Sequence, residues 1–248
     1  HYIGIGIRMV YIMLIIKNLT VRAGGKEILH RINFNFEKGK IYALMGPNGS
    51  GKTSLALTIM GNPNYKATEE SEIIFNKKEI KNLKPEARAK KGLFLSFQNS
   101  PSFEGVNLYQ MFYSLLSGKV NILKTKSKID KIAEKLKIKK ELLKRSINND
   151  FSGGEKKKIE VLQALLLKPR LVIFDEVDSG VDIDALKTLS HNLLKLKNNH
   201  NTFIFVSHHL AFFNFVKPEK VLIMKEGRII ETGDYKLLSK IEKKGYHE

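Results

Sequence analysis

The chain has 248 residues, 42% of them hydrophobic and 27% charged, with 43 Lys and Arg against 25 Asp and Glu for a formal net charge of +18. That length holds one large α/β domain or two small ones with enough core to fold unaided, and the absence of cysteine excludes a disulfide framework, a thiolate metal site and a cysteine nucleophile. So large a positive charge suits nucleic acid, anionic lipid or an acidic partner, yet the lysines are spread along the whole chain, as the codon bias of an AT-rich genome would also spread them.

In chain order, His1 to Ile12 reads as an N-terminal extension or the remnant of a leader, ahead of a domain running from Met13 to Glu248. The longest apolar stretch, Met9 to Ile16, is far shorter than the ~18 to 20 residues of a spanning helix, so no direct membrane insertion is expected. Leu14–Val21, Glu27–Phe36 and Ile41–Met45 suggest an antiparallel β region, punctuated by turns at Gly24, Gly25 and Gly39.

The next eight residues are Gly46, Pro47, Asn48, Gly49, Ser50, Gly51, Lys52 and Thr53. They fit Gly-x-x-x-x-Gly-Lys-[Ser/Thr], the phosphate-binding P-loop. The glycines let successive N–H groups point inward at an anion. Lys52 is a point charge for the outer phosphates, and the Thr53 hydroxyl suits Mg²⁺. An apolar strand precedes the loop and a helix is expected from Thr53 and Ser54 to Met60, its positive end under the phosphates. ATP and Mg²⁺ are therefore the expected ligands.

Short strands follow at Glu72–Phe75 and Gly92–Phe97, then a helical, polar stretch from Pro101 to Ser146, rich in lysine between Lys119 and Lys144. Strand signals return at Leu171–Phe174, Thr202–Val206 and Val221–Met224. The alternation predicts a sheet with helices on both faces and an inserted helical lobe. The strand Leu171–Phe174 ends in Asp175 and Glu176. Behind a P-loop, Asp175 would hold the metal opposite Thr53, and Glu176 would polarise the attacking water.

Ser152-Gly153-Gly154-Glu155 is a capping box for a helix. Lys156, Lys157 and Lys158 then occupy first turns where the helix dipole disfavours cations, which describes a second anion site, closing on the nucleotide of another copy. Gln98 follows an apolar strand and is a candidate for the metal or the water. His208 follows Thr202–Val206, where an imidazole would touch the γ-phosphate; its neighbour His209 and an ordinary structural role compete with that reading. The loop Asp178 to Asp182, with Ser179, would lie at the seam of the dimer.

Together these residues resemble the nucleotide-binding domain of ABC ATPases across nearly the whole chain. Phe151 to Lys158, Val161-Leu162-Gln163, Phe174 to Lys187, Met60 to Tyr65 and Gly233-Asp234-Tyr235 are similar to the SufC family, the ATPases of the SUF iron–sulfur cluster assembly system. The resemblance implies a P-loop core with an antiparallel β subdomain and a helical subdomain at about 99–168. It also implies partners like SufB and SufD, a transient homodimer on ATP, catalytic Lys52, Glu176 and His208, and metal ligands Thr53, Gln98 and Asp175. The nucleotide contacts would run from Gly46 to Ser54 and include Gln98, Ser152, Gly153, Gly154, Glu155, Ser179 and Asp182. Val21 and Ala23 stand where such domains often stack adenine on an aromatic ring, Lys158 replaces a commoner Arg, and Asn99 to Val106 departs from the family's Pro-rich stretch.

Two rivals share the ATP chemistry: the ATPase subunit of a membrane transporter, and a nucleic-acid-handling ABC ATPase. The short span from Gln98 to Ser152 leaves no room for the long coiled-coil insert of the latter, and no nucleic-acid partner is expected. The family occurs in bacterial and archaeal cytoplasm and in plastid-type organelles. The start at His1 and the Lys, Asn and Ile bias favour the stroma of an apicoplast-like organelle.

Overall fold

The structure is a computed structural model and describes residues 11–96, 102–116, 121–147 and 149–246. Phe97 and Gln98, the Lys119 end of the lysine-rich stretch and the segment His1–Val10 lie outside the described residues.

The chain opens with two long strands, β1 (Ile12–Ala23) and β2 (Lys26–Glu37), paired antiparallel through a turn at Gly24 and Gly25. β1 thus starts inside the expected extension. β3 (Ile41–Met45) leads to the P-loop and then α1 (Lys52–Met60). β4 (Lys66–Ala67), β5 (Glu72–Phe75) and β6 (Lys78–Glu79) complete the first sheet, ordered β2-β1-β5-β6 with β4 on β1. α2 (Pro85–Lys90) precedes β7 (Leu93–Ser96).

A helical arm follows: β8 (Phe103–Asn107), α3 (Leu108–Leu116), α4 (Ile122–Lys135), α5 (Lys140–Lys144), β9 (Ser146–Ile147) and α6 (Gly153–Leu167). The return to the core brings β10 (Leu171–Asp175), α7 (Ile183–Leu194), β11 (Thr202–Val206), a 3₁₀ turn at Leu210–Asn214, β12 (Lys220–Lys225), β13 (Arg228–Gly233) and α8 (Lys236–Lys244). The second sheet runs β13-β12-β3-β11-β10-β7, parallel except for the edge strand β13.

Two expectations need correction here. Ile41–Met45 does not continue the antiparallel region. All five of its residues are buried, the mark of a strand covered on both faces, and it pairs in parallel with β11 and β12. The stretch Pro101 to Ser146 is not helical throughout. Phe103–Asn107 pairs antiparallel with Ser146–Ile147, and a partner so distant leaves no local periodicity to read. β13 was also not foreseen.

The parallel sheet sorts its side chains by the two-residue period of a strand. Ile41, Ala43 and Met45, Val172 and Phe174, and Phe203 and Phe205 face the core shared with the arm, α6, α7 and α8. Tyr42 and Leu44, Leu171 and Ile173, and Ile204 and Val206 face the other core, filled by α1 and the first sheet. The rings of Phe174 and Phe205 stack at 5.7 Å directly behind the strand ends that carry the site.

Buried Arg88 holds the far end of α1. Its guanidinium donates to the carbonyls of Thr58 (2.8 Å), Ile59 (2.7 Å), Leu83 (2.9 Å) and Lys81 (2.5 Å). Two of these contacts reach carbonyls of the last turn of α1, and together they put a cation at its negative end. Burial lowers the Arg88 pKa to about 10.

Candidate active site

The site forms where β3, β10 and β11 end side by side. β3 delivers the P-loop, β10 delivers Asp175 and Glu176, and β11 delivers His208. Gly46 has φ 149°, and a Cβ there would sit 2.1 Å from the Met224 carbonyl oxygen, so only glycine fits. Gly49 has φ 78° with open space around it, which needs glycine for the backbone turn alone. The loop ends at Gly51, the N-cap of α1, which offers no side-chain cap; the first N–H groups of the helix therefore keep their donors for a ligand.

Lys52 is 6% exposed. Its ammonium group donates to the carbonyls of Gly46 (2.8 Å) and Pro47 (2.9 Å) and reaches the Ser50 hydroxyl at 3.4 Å. Burial pulls its pKa down, and the nearby carboxylates of Asp175 and Glu176 oppose that. The Gly46 amide also faces the Tyr246 hydroxyl from the end of the chain, without closing a hydrogen bond, and burial pushes that phenol's pKa up.

Asp175 is buried, and burial raises its pKa; the Thr53 hydroxyl facing it is the largest opposing influence. Its Oδ1 has no hydrogen-bond partner. An orphaned carboxylate oxygen across from a hydroxyl fits a small divalent cation such as Mg²⁺, which takes one or two protein oxygens and completes its shell with phosphates and water.

Glu176 has φ 54°, rare for a residue with a side chain. Its N–H donates to the Val206 carbonyl at 2.9 Å, and its Oε1 lies 3.4 Å from Nδ1 of His208. The imidazole and carboxylate expected from the sequence are thus adjacent. The rings of His208 and His209 lie 3.9 Å apart.

Ser152 and Glu155 form the capping box. The Glu155 N–H donates to the Ser152 hydroxyl at 3.3 Å, and the Ser152 N–H donates to the Glu155 carboxylate at 2.9 Å. Their bonds stay within the turn. Gly153 and Gly154 sit beside the loop that carries Ser179: a Cβ on Gly154 would lie 3.8 Å from the Gly180 carbonyl oxygen. Ser179 donates its N–H to the Glu176 carbonyl at 3.1 Å, and Asp182 caps α7 through the Ala185 N–H at 2.7 Å. Gln98 lies outside the described residues.

Several participants escaped the sequence reading. Lys157, one turn into α6, does not face solvent. It is buried 3.2 Å from Glu160, which also accepts the Ser96 hydroxyl at 2.5 Å. This pair ties α6 to the end of β7, just before Gln98. The i, i+3 spacing of Lys157 and Glu160 was the available signal. Ser207, Arg88 and Tyr246 carried no such signal, because their partners lie far away in sequence.

Comparison with known proteins gives one family. The ABC transporter family pattern matches residues 29–179. A probable ABC transporter ATP-binding protein of Streptococcus pyogenes is 37% identical over 237 residues, covering 93% of this chain and 92% of that protein. A probable ATP-dependent transporter, ycf16, of Antithamnion sp. is 38% identical over 244 residues, covering 95% and 96%. Among solved structures, the ADP conformation of MJ1267, an ATP-binding cassette of an ABC transporter, superposes with a TM-score of 0.74 at 25% identity, covering 94% of this chain and 95% of that one.

Proposed function

Because the chain belongs to the ABC transporter family of ATPases, we propose a specific use for its ATP hydrolysis: driving a SUF-type iron–sulfur cluster assembly scaffold, as the SufC-like subunit beside SufB-like and SufD-like proteins. The chain has the ABC cassette fold and is an ATP-binding, ATP-hydrolysing enzyme. The finer reading rests on the run Phe174 to Lys187, where the SufC resemblance is densest and where the acids have structural work: Asp178 accepts the Ser207 hydroxyl and Asp182 caps α7.

In this reading Lys52 binds the outer phosphates, while Thr53, Asp175 and Gln98 hold Mg²⁺. The cation, when bound, neutralises charge on the transferring phosphoryl group. Glu176 orients the attacking water and His208 steadies the phosphoryl group. Ser152, Gly153, Gly154 and Glu155 of a second copy close over the γ-phosphate, with Ser179 and Asp182 at the seam. A site that needs two copies hydrolyses slowly in an isolated chain.

Residues 13–248 then form the cassette, and the arm at about 99–168 passes its motion to the partner. A groove of about 640 Å³ supports that role. It lies between β7 and the arm, and Phe75, Phe94 and Leu115 line it together with Lys91, Lys168 and Arg170, which suits an amphipathic partner surface carrying acids. The proposed compartment is the stroma of a plastid-type organelle, with bacterial or archaeal cytoplasm as the alternative. Among the described residues no helix is long and apolar enough to cross a membrane.

The names of the relatives favour a second reading, the ATPase subunit of an ABC transporter. Affinity purification of the tagged chain from its own cell, followed by mass spectrometry, separates the two. SufB-like and SufD-like proteins support the assembly role. A multi-helix membrane protein in their place overturns it in favour of the transporter, with the ATP chemistry intact.

A further inference from the structure

Beyond the ends of β10 and β11 the chain diverges into two loops, one carrying Glu176 and the other His208. The strands themselves hold Asp175 opposite Val206, but past that register the ladder no longer aligns the two loops. One buried side-chain bond continues the alignment. The Ser207 hydroxyl donates to Oδ2 of Asp178 at 2.7 Å. The same hydroxyl oxygen accepts the His209 N–H at 2.9 Å, which fixes the turn on which His208 and His209 are presented.

Both residues are out of water: Ser207 is 0% exposed and Asp178 7%. The other carboxylate oxygen of Asp178, Oδ1, has no hydrogen-bond partner. Burying a half-satisfied carboxylate is unfavourable, whereas an apolar side chain of that size would fill the space without the penalty. Burial accordingly pushes the Asp178 pKa up, with the Ser207 hydroxyl, then its own backbone N–H, then the imidazoles of His209 and His208 drawing it back. The acid is poorly explained by stability and well explained by where it stands.

We propose that Asp178 is a positioning residue for hydrolysis: through Ser207 it holds the loop of His208 in register with the loop of Glu176, keeping Nδ1 of His208 and Oε1 of Glu176 at 3.4 Å. Asp178 acts by aligning the two groups proposed to act on water and phosphoryl group, rather than on either itself. This inference rests on the roles assigned above to Glu176 and His208. It adds a bond made within one copy, at the start of the loop whose Ser179 and Asp182 stand at the proposed seam.

Steady-state ATPase assays on the full chain test it with Asp178→Ala, Asp178→Asn, Ser207→Ala and His208→Ala. Asp178→Ala is expected to lower kcat about ten- to hundredfold, the scale of an ångström-sized misplacement, with KM for ATP changed less than about twofold. Asp178→Asn keeps an acceptor for Ser207 and recovers most of the loss. In a His208→Ala background, Asp178→Ala adds no further loss, because nothing remains to be aligned. Thermal melts identify a variant that fails to fold; Ser207→Ala then breaks the same bond from the other side and is expected to reproduce the kcat loss. Unchanged kcat in a folded Asp178→Ala or Ser207→Ala chain, or losses that multiply in the His208→Ala background, overturn the inference. Full turnover in His208→Ala by itself overturns the role of His208 and this inference with it, whereas a slow His208→Ala beside a normal Asp178→Ala overturns the inference alone.

Discussion

The parallel sheet and the helical arm solve the burial problem in opposite ways. Every residue of Ile41–Met45, Leu171–Asp175 and Thr202–Val206 is buried, so each strand is gripped on both faces. In the arm, Phe103–Glu104–Gly105–Val106 is exposed along its length, and Leu115, Ile122 and Leu123 stand 58%, 63% and 75% exposed. Strand ends gripped on both faces fix the positions of Asp175, Glu176 and His208, the residues proposed for the chemistry. The arm keeps apolar surface uncovered, as a part that must meet something else would.

The sharpest way to break this comparison is at the chemistry held by the sheet. Glu176→Gln should keep ATP binding and lower turnover by about 10² to 10⁴; nucleotide binding and single-turnover hydrolysis measured together check it, and unchanged turnover removes Glu176 from the mechanism. Next comes the packing behind it. Phe174→Ala empties a site stacked on Phe205, and denaturant unfolding should report a loss of about 3 to 5 kcal/mol.

The arm should respond differently. Replacing exposed Ile122 and Leu123 with Ser should change stability by less than about 0.5 kcal/mol, while weakening capture of the partner in pull-downs. A loss as large as that of Phe174→Ala would mean the arm's apolar surface is covered within this chain. The smallest expected effect is at the cap of α6. The Ser152 amide, first among the causes, holds the Glu155 carboxyl below its ordinary pKa of 4.5. A lowered folded-state pKa means the stabilisation is present above the ordinary carboxylate range and is lost as pH falls through the folded value. Melting curves taken at descending pH should therefore show the difference between the native chain and Glu155→Gln shrinking below about pH 4.5; a gap constant with pH would detach the cap from the carboxylate's charge.

Legibility in the sequence followed the distance between partners. The P-loop, the acids at the end of Leu171–Asp175 and the capping box are contiguous runs whose chemistry is complete within a few residues, and all were readable. The strands β10, β11 and β12 were readable because unbroken apolar runs between turns mark strands buried on both faces. Ile41–Met45 was recognised as a strand but assigned to the wrong sheet, since burial on both faces does not reveal which strands lie alongside. The β8–β9 pair was missed for the same reason in stronger form, its two halves being separated by α3, α4 and α5.

By itself the sequence determined that this chain is an ATP-binding enzyme with an α/β core, and it named the residues proposed to hold the phosphates, because those properties are written in local spacing and periodicity. The tertiary structure decided which strand ends stand together. It joined Glu160 of α6 to Ser96 at the end of β7, put Arg88 under the far end of α1, and joined Asp178 to Ser207 across two loops. Those pairings arise only when the tertiary fold brings distant segments within hydrogen-bond reach, and burial then favours each pairing over leaving its polar groups unsatisfied.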